Sequence, residues 1–319
     1  MLRREDLMAC GLDEVAAAEL LLRFEVLVGS PEARWREVAR RLLRPDHPFA
    51  LHQLLYEVVY DGELGPVFFP EPADIEGANA TALQRELDLP SYDALFAWSV
   101  DEWEVFWHKT VARLGIRLQK PYERFVDLAQ GPTAPEWLAG AEMNIAESCF
   151  QADGEQTAIV FQREGGPLEH MSYTALEGVC DRVASGLVAA GFVPGDRIAV
   201  DMPMTAEAVA IYLGIVKAGC AVVAIADSFA AAEIATRLKI GSAQAVFTQD
   251  VILRGGRELP LYSRLVEAQA PRAIVLSGRV DGTLDDLRDG DLRWEDFLRE
   301  GDGFSAVARS PDEITNILF

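Results

Sequence analysis

A chain of 319 residues, half of them hydrophobic, can bury a large core and is expected to divide into two or three domains. Its formal net charge of -22 repels nucleic acid and anionic membranes, so neither is expected as a partner, and an anionic ligand would need a local basic pocket. Cys10, Cys149, Cys180 and Cys220 are far apart with no CxxC pair, which argues against a disulfide framework or a structural zinc and for a reducing, cytoplasmic home. No long apolar segment follows Arg3 and Arg4, so the start does not read as a signal peptide, and the longest apolar runs fall well short of a membrane span.

Residues 1–115 read as a helical region. Leu12 to Val28 is strongly apolar with acidic residues interleaved. Ser30-Pro31 marks a helix start, a cap followed by proline at the first helical position. Trp35, Val38, Ala39 and Leu42 repeat at helical spacing until Pro45. Leu51, Leu54, Leu55, Val58 and Val59 make the next stripe, which ends at Asp61-Gly62. His47 and His52 stand five apart across a proline with no further ligand at metal spacing, so they read as structural or surface residues. Pro66 to Pro72, with Phe68 and Phe69, is an irregular aromatic connection. Tyr92, Phe96, Trp98, Trp103, Phe106 and Trp107 form an aromatic stripe of the kind that builds a core.

Residues 116–155 read as a linker and a compact segment, Pro132 and Pro135 preceding Trp137 to Cys149. From 156 to 319 the pattern becomes α/β. Thr157 to Gln162 is expected as a strand, Gly165 to Pro167 as a turn and Leu168 to Ser172 as the return strand. Leu176, Val179, Cys180, Val183 and Leu187 stripe a helix that Gly191 ends. Four short apolar runs follow: Ile198 to Val200, Cys220 to Ala226, Ala243 to Phe247 and Ala273 to Leu276. Near-continuous runs of this length suit strands buried on both faces of a parallel sheet. Between the first two, Val209, Tyr212, Leu213 and Val216 make one helical stripe, with Thr205 as N-cap and Lys217 and Gly219 at the closing end. The fold class is therefore α/β, a helical N-terminal region followed by a mostly parallel β/α sheet with right-handed crossovers.

Parallel sheets take ligands beyond the carboxyl ends of their strands. There the third run leads to Arg254-Gly255-Gly256-Arg257. Two guanidiniums flank a pair of glycines whose backbone N–H groups can approach a phosphate closely. The alternative is a solvated turn with both arginines in water. Asp281 to Gly303 is acidic and Gly-rich. Its run of Asp285, Asp286, Asp289 and Asp291 does not match the EF-hand spacing and reads as a solvated charge run. Asp312 to Phe319 reads as the start of another buried strand, so the chain is expected to be truncated there.

Several blocks together resemble the N-terminal part of AMP-forming acyl-CoA synthetases of the acetyl-CoA synthetase-like group, especially the plant-type peroxisomal acyl-activating enzymes. They are Trp137 to Cys149, Gly195 to Met204, Ile225 to Phe229 with Glu233 to Arg237, and Phe247 to Arg257, with His47-Pro48 and His52-Gln53 in the helical start. Two positions depart from the wider group: Trp137-Leu138 replaces Trp-Phe, and Asp227-Ser228 replaces Gly-Gly. The resemblance implies a two-step ligase of the adenylate-forming fold, with ATP, CoA and a carboxylic acid as substrates and Mg2+ as cofactor. It implies that Arg254, Gly255, Gly256 and Arg257 bind the phosphorylated nucleotide end of CoA, with Asp227 and Ser228 near the same ligand. It further implies that the ATP-gripping loop, the acyl pocket and a mobile catalytic domain lie beyond Phe319, so that these residues alone would be inactive. No GxxxxGK[ST] loop occurs in the chain. A non-catalytic CoA- or nucleotide-binding module and a helical scaffold protein are the competing readings. No catalytic triad or Cys/His pair can be assembled, because His47, His52, His108 and His170 fall outside the matched ligand blocks.

Overall fold

The computed structural model describes residues 2–279, 282–300 and 303–319. Two compact units divide the chain, Met1–Asp101 and Glu102–Phe319.

The first unit is helical throughout, as its apolar spacing requires. Helices α1 (Arg4–Ala9), α2 (Glu14–Glu25), α3 (Pro31–Glu37) and α4 (Phe49–Tyr60) bury Leu7, Leu20, Phe24, Trp35, Val38, Leu51, Leu55 and Val59 in one cluster. Ser30 caps α3 by accepting from the Ala33 amide at 3.3 Å, and Pro31 occupies the first helical position. Beyond α3 the chain widens into a π-type turn over Val38–Leu42. Asp61 ends α4 in a left-handed conformation, φ 53°. The aromatic connection is held at two points: Trp35 Nε1 donates to the Val67 carbonyl at 2.7 Å, and the Arg36 guanidinium lies over the Phe69 ring. Phe68 faces outward. Helices α5 (Pro72–Gly77), α6 (Asn79–Glu86) and α7 (Tyr92–Asp101) complete the unit.

The second unit opens with α8 (Trp103–Arg113) and the antiparallel pair β1 (Arg124–Asp127) and β2 (Glu136–Ala139). Its aromatic residues pack together. Trp103, Trp107 and Phe125 meet the Trp137 ring edge-on at 5.8–6.3 Å, and His108 stacks on Phe125 at 3.9 Å. The hairpin β3 (Thr157–Gln162) and β4 (Leu168–Ser172) follows, with the bounds expected from the sequence, and leads into α9 (Tyr173–Ala189).

The four apolar runs become β5 (Arg197–Asp201), β6 (Ala221–Ile225), β7 (Ala245–Gln249) and β10 (Arg272–Leu276), with α10 (Ala206–Lys217), α11 (Ala231–Gly241) and α12 (Tyr262–Glu267) between them. The hairpin β8 (Val251–Arg254) and β9 (Arg257–Pro260) lies between β7 and α12. Two short strands add to the sheet. β11 (Leu292–Arg293), followed by α13 (Trp294–Phe297), arises inside the acidic stretch expected to be loop, of which Asp281 and residues 301–302 lie outside the described residues. β12 (Asn316–Ile317) pairs along β6, at the edge of the sheet. The six strands run parallel in the order β11-β10-β7-β5-β6-β12.

The run expected to stop at Phe247 extends through Thr248 and Gln249. Both are buried, because β7 lies between β5 and β10 and its polar end has no solvent face. On one side of the sheet, α9, α10 and α13 bury Val183, Ile211, Ile215 and Phe297 against Ile198, Phe247 and Ile274. On the other, α11 and α12 bury Ile234, Leu238 and Leu265 against Ala199, Val223 and Val246. Thr205 caps α10 by accepting from the Ala208 amide, and Lys217 closes its last turn. From β5 the chain crosses to β6 on one side, then returns to β7 on the other. This reversal of direction places a topological switch point between the carboxyl ends of β5 and β7, where open α/β sheets receive ligands.

Candidate functional site

Asp250, the first residue past β7, fixes how the chain leaves the sheet. Its carboxylate accepts from the Val251 and Gly278 amides, each at 2.7 Å, and pairs with Arg279. Its carbonyl accepts from Leu261 and Tyr262 at the start of α12, and its amide donates to Leu276 at the end of β10. The approach is so close at Gly278 that a Cβ there would lie 1.9 Å from the Val251 carbonyl oxygen, so no larger residue fits without backbone movement. Val251 and Ile252 are buried, which anchors the root of the β8–β9 hairpin, while its tip is exposed.

The tip is a two-residue turn. Arg254 pairs with Arg257, and Gly255 and Gly256 between them both take positive φ, 62° and 71°. This is the backbone of a type I′ hairpin, which glycine adopts without strain. Directly opposed residues in an antiparallel pair share a face, so the register puts both guanidiniums on the same side of the hairpin. Arg254 Nη2 donates to Asp227 Oδ2 at 2.8 Å. Arg257 is exposed, and among the described residues its side chain has no ion-pair or hydrogen-bond partner.

Asp227 belongs to the loop that follows β6. The Phe229 amide donates to the Ala226 carbonyl at 3.1 Å and closes the turn, which exposes Ser228. Arg264 of α12 holds the turn from behind through bonds to the carbonyls of Asp227, at 2.9 Å, and Phe229, at 3.4 Å. Arg237 of α11 lies over the Phe229 ring, its guanidinium carbon 3.6 Å from the centroid. Asp227 is thus brought to Arg254 from 27 residues away, while the Ser228 side chain makes no hydrogen bond among the described residues.

Three further residues belong to this end of the sheet. Glu164, in the turn between β3 and β4, accepts from the Gly255 amide at 2.9 Å with one carboxylate oxygen and from the Gly256 amide with the other. Asp250 sets the hairpin root, as described. Asp201 ends β5 at the switch point on the face of Ala199, fully buried, and neither carboxylate oxygen has a hydrogen-bond partner among the described residues. Burial pushes the Asp201 carboxyl up to about 7; Arg264 pulls it down and the Asp227 charge adds to the rise. The sequence marked the Gly165–Gly166 turn but not what Glu164 touches, since its partners lie 91 and 92 residues away. A lone aspartate among apolar strand residues was the one available signal for Asp201.

The donor set fits a phosphate. Two adjacent outward amides grip a carboxylate with both its oxygens, one guanidinium beside them is paired and the other is open. No group of three or more His, Cys, Asp or Glu among the described residues could hold a metal ion. Burial raises the Cys180 and Cys220 thiols to about 12 and about 11, so neither is a nucleophile at neutral pH.

Comparison with known proteins defines the class first. The acetoacetyl-CoA synthetase from Streptomyces lividans superposes with a TM-score of 0.71 at 24% identity, over 80% of this chain and 41% of that one, so the fold is shared. Residues 146–319 match the model of the AMP-binding enzyme family, residues 92–149 that of the acetyl-coenzyme A synthetase N-terminus, and residues 1–61 that of the SAM domain of probable acyl-activating enzymes 17/18. The chain belongs to the AMP-binding enzyme family and is related to its acyl-CoA synthetases, as the resemblance of its sequence blocks implied. A hexanoyl-CoA synthase from Cannabis sativa is 35% identical over 98% of this chain and 48% of its own length. The probable acyl-activating enzyme 18, peroxisomal, from Arabidopsis thaliana is 38% identical over 91% of this chain and 44% of its own. The chain spans about half the length of these curated relatives.

Proposed function

We propose that this chain carries the site for the phosphorylated nucleotide tail of CoA in an acyl-CoA synthetase, which converts a carboxylic acid, ATP and CoA into acyl-CoA, AMP and pyrophosphate. The observation that supports this most directly is the β8–β9 turn, with two guanidiniums on one face beside two adjacent amides that already hold a carboxylate. CoA, when bound, supplies the thiol that accepts the acyl group. The residues of this chain bind and orient its tail. Arg254 and Arg257 offer charge and forked donors to phosphate oxygens, Gly255 and Gly256 offer amides, and Asp227 holds Arg254 in place. Ser228 borders the site as an exposed hydroxyl. The anchored root at Asp250 keeps the turn on a rigid sheet, so little ordering cost falls on binding.

The reading includes the whole-protein use of ATP with Mg2+, and no GxxxxGK[ST] loop occurs in these 319 residues. We accordingly expect no acyl-adenylate from this chain alone, and ATP–pyrophosphate exchange above a blank would refute that. Its free thiols suit a reducing compartment, with the cytoplasm as the proposed location. Calorimetric titration of the 319-residue chain with CoA tests the site. Arg254→Ala is expected to weaken binding by about 1–3 kcal/mol, roughly five- to 150-fold, through loss of a charged phosphate contact. Unchanged affinity in that variant would overturn the assignment.

A further inference from the structure

The Glu164 carboxylate occupies the same two amides that a phosphate at the β8–β9 turn would use. We propose that Glu164 is a resident competitor for the phosphate site, a gate that the phosphorylated tail must displace and that a tail without the phosphate cannot. This deepens the CoA-site reading and rests on it.

Charge supports the gate. With Glu164 in place the turn gathers two guanidiniums, from Arg254 and Arg257, and two carboxylates, from Glu164 and Asp227. These formal charges cancel, so a phosphate gains little from long-range attraction until Glu164 leaves. Once it has moved, one positive charge and two outward amides are uncovered together. A phosphate monoester carries close to two negative charges and three acceptor oxygens, so it competes for those amides better than a carboxylate does. A neutral hydroxyl at the same place does not. The gate thereby sharpens discrimination between nucleotide tails that differ by one phosphate, because only the charged group recovers what the displaced carboxylate gave up.

Geometry supports it as well. Glu164 sits at the second position of the turn between β3 and β4. The turn is closed by the Gly166 amide donating to Arg163 at 2.9 Å, with Gly165 at φ 74° in the third position. Glu164 itself is exposed. Its neighbour Arg163 is pinned by Glu169 at 2.9 Å and Glu207 at 2.6 Å. The hairpin is therefore fixed at the residue before the gate, and rotation of one solvated side chain is enough to open it. Asp227 is different. Its side chain is only 16% exposed and its loop is held by Arg264, so it stays as the fixed partner that orients Arg254.

The test uses the 319-residue chain at one ionic strength, with CoA and dephospho-CoA as probes. Glu164→Ala is expected to tighten CoA binding about two- to fivefold, the range of an exposed charged contact, and to leave dephospho-CoA binding unchanged. Glycine-selective 15N labelling gives a readout that needs no ligand: the Gly255 and Gly256 amide resonances should shift in Glu164→Ala, and in the parent chain when CoA is added. If Arg254→Ala weakens CoA binding while Glu164→Ala leaves it unchanged or weaker, the gate is wrong and the CoA site stands. If neither substitution changes CoA affinity, the site reading fails and the gate with it. Glu164→Gln, which keeps the side-chain shape and removes the charge, should tighten binding in the same direction. It decides the question if the alanine variant does not fold; a Gln variant with parent-like CoA affinity overturns the proposal.

Discussion

β7 and the β8–β9 hairpin follow one another in the chain and are held by opposite means. β7 is buried along its whole length, between β5 and β10 and under helices on both faces, so apolar packing sets its position. The hairpin has one buried end. Its root is held by buried Asp250 and its tip by polar contacts from Asp227 and Glu164, of which the exposed Glu164 contact is exchangeable with water or ligand. The contrast explains the division of labour: a strand fixed by packing places the turn, and a turn fixed only by hydrogen bonds can trade a carboxylate for a phosphate.

The comparison breaks most sharply at Phe247. Its fully buried ring meets Phe297 at 5.2 Å and Trp294 at 6.2 Å, both edge-on. Phe247→Ala should cost about 3–5 kcal/mol in denaturant unfolding, from lost transfer energy and a residual cavity. Well below its unfolding midpoint the variant should still bind CoA like the parent. Affinity that fell in step with stability would show that hairpin and sheet are not separable.

Asp201 tests the same packing through pH. Its carboxyl is raised in the folded chain, so the native state holds a proton that the unfolded chain releases near its ordinary carboxylate value. Stability from this group is present in full at low pH and is lost as pH climbs toward about 7, then stays level. Asp201→Asn should remove that loss. At pH 8 the variant is expected to be more stable by up to about 4 kcal/mol, with the gain shrinking toward pH 4, as thermal melts across the range would record. A gain of equal size at both ends would mean that ionisation of Asp201 is not the cause.

The smallest effect is expected at the tip. A Cβ on Gly255 meets open space, so Gly255→Ala costs only the strain of φ 62°, about 1 kcal/mol. Global unfolding should shift by no more than this, while CoA binding weakens as the two amides lose their shared aim. A loss of several kcal/mol in denaturant unfolding would place the tip inside the cooperative core and erase the contrast.

How much of this could be read beforehand follows burial and sequence distance. The strands β5, β6 and β10 announced themselves as apolar runs, because a strand covered on both faces has no use for polar residues. The polar end of β7 was hidden for the same reason: Thr248 and Gln249 look like the residues that end a strand. β11 and α13 were missed in the acidic stretch because Asp291 is neutralised by Arg288 and buried against Tyr262, a pairing that composition does not display. The Arg254-Gly255-Gly256-Arg257 turn was legible because its chemistry is local. Glu164, Asp250 and Arg264 were not, because each acts on the site from a different element.

Periodicity, caps and turn glycines by themselves determined a helical start and a parallel β/α layer that presents two arginines beyond a strand end. Family blocks added the kinship with AMP-binding enzymes. Only the tertiary structure decided which charges meet there, Asp227 on Arg254 and Glu164 on the two glycine amides, and that Asp201 is sealed at the end of β5 without a partner. The reason is physical. Backbone preference and apolar spacing act between near neighbours in the chain, whereas the balance of charge at the turn depends on carboxylates carried in by the β3–β4 hairpin and by the loop after β6.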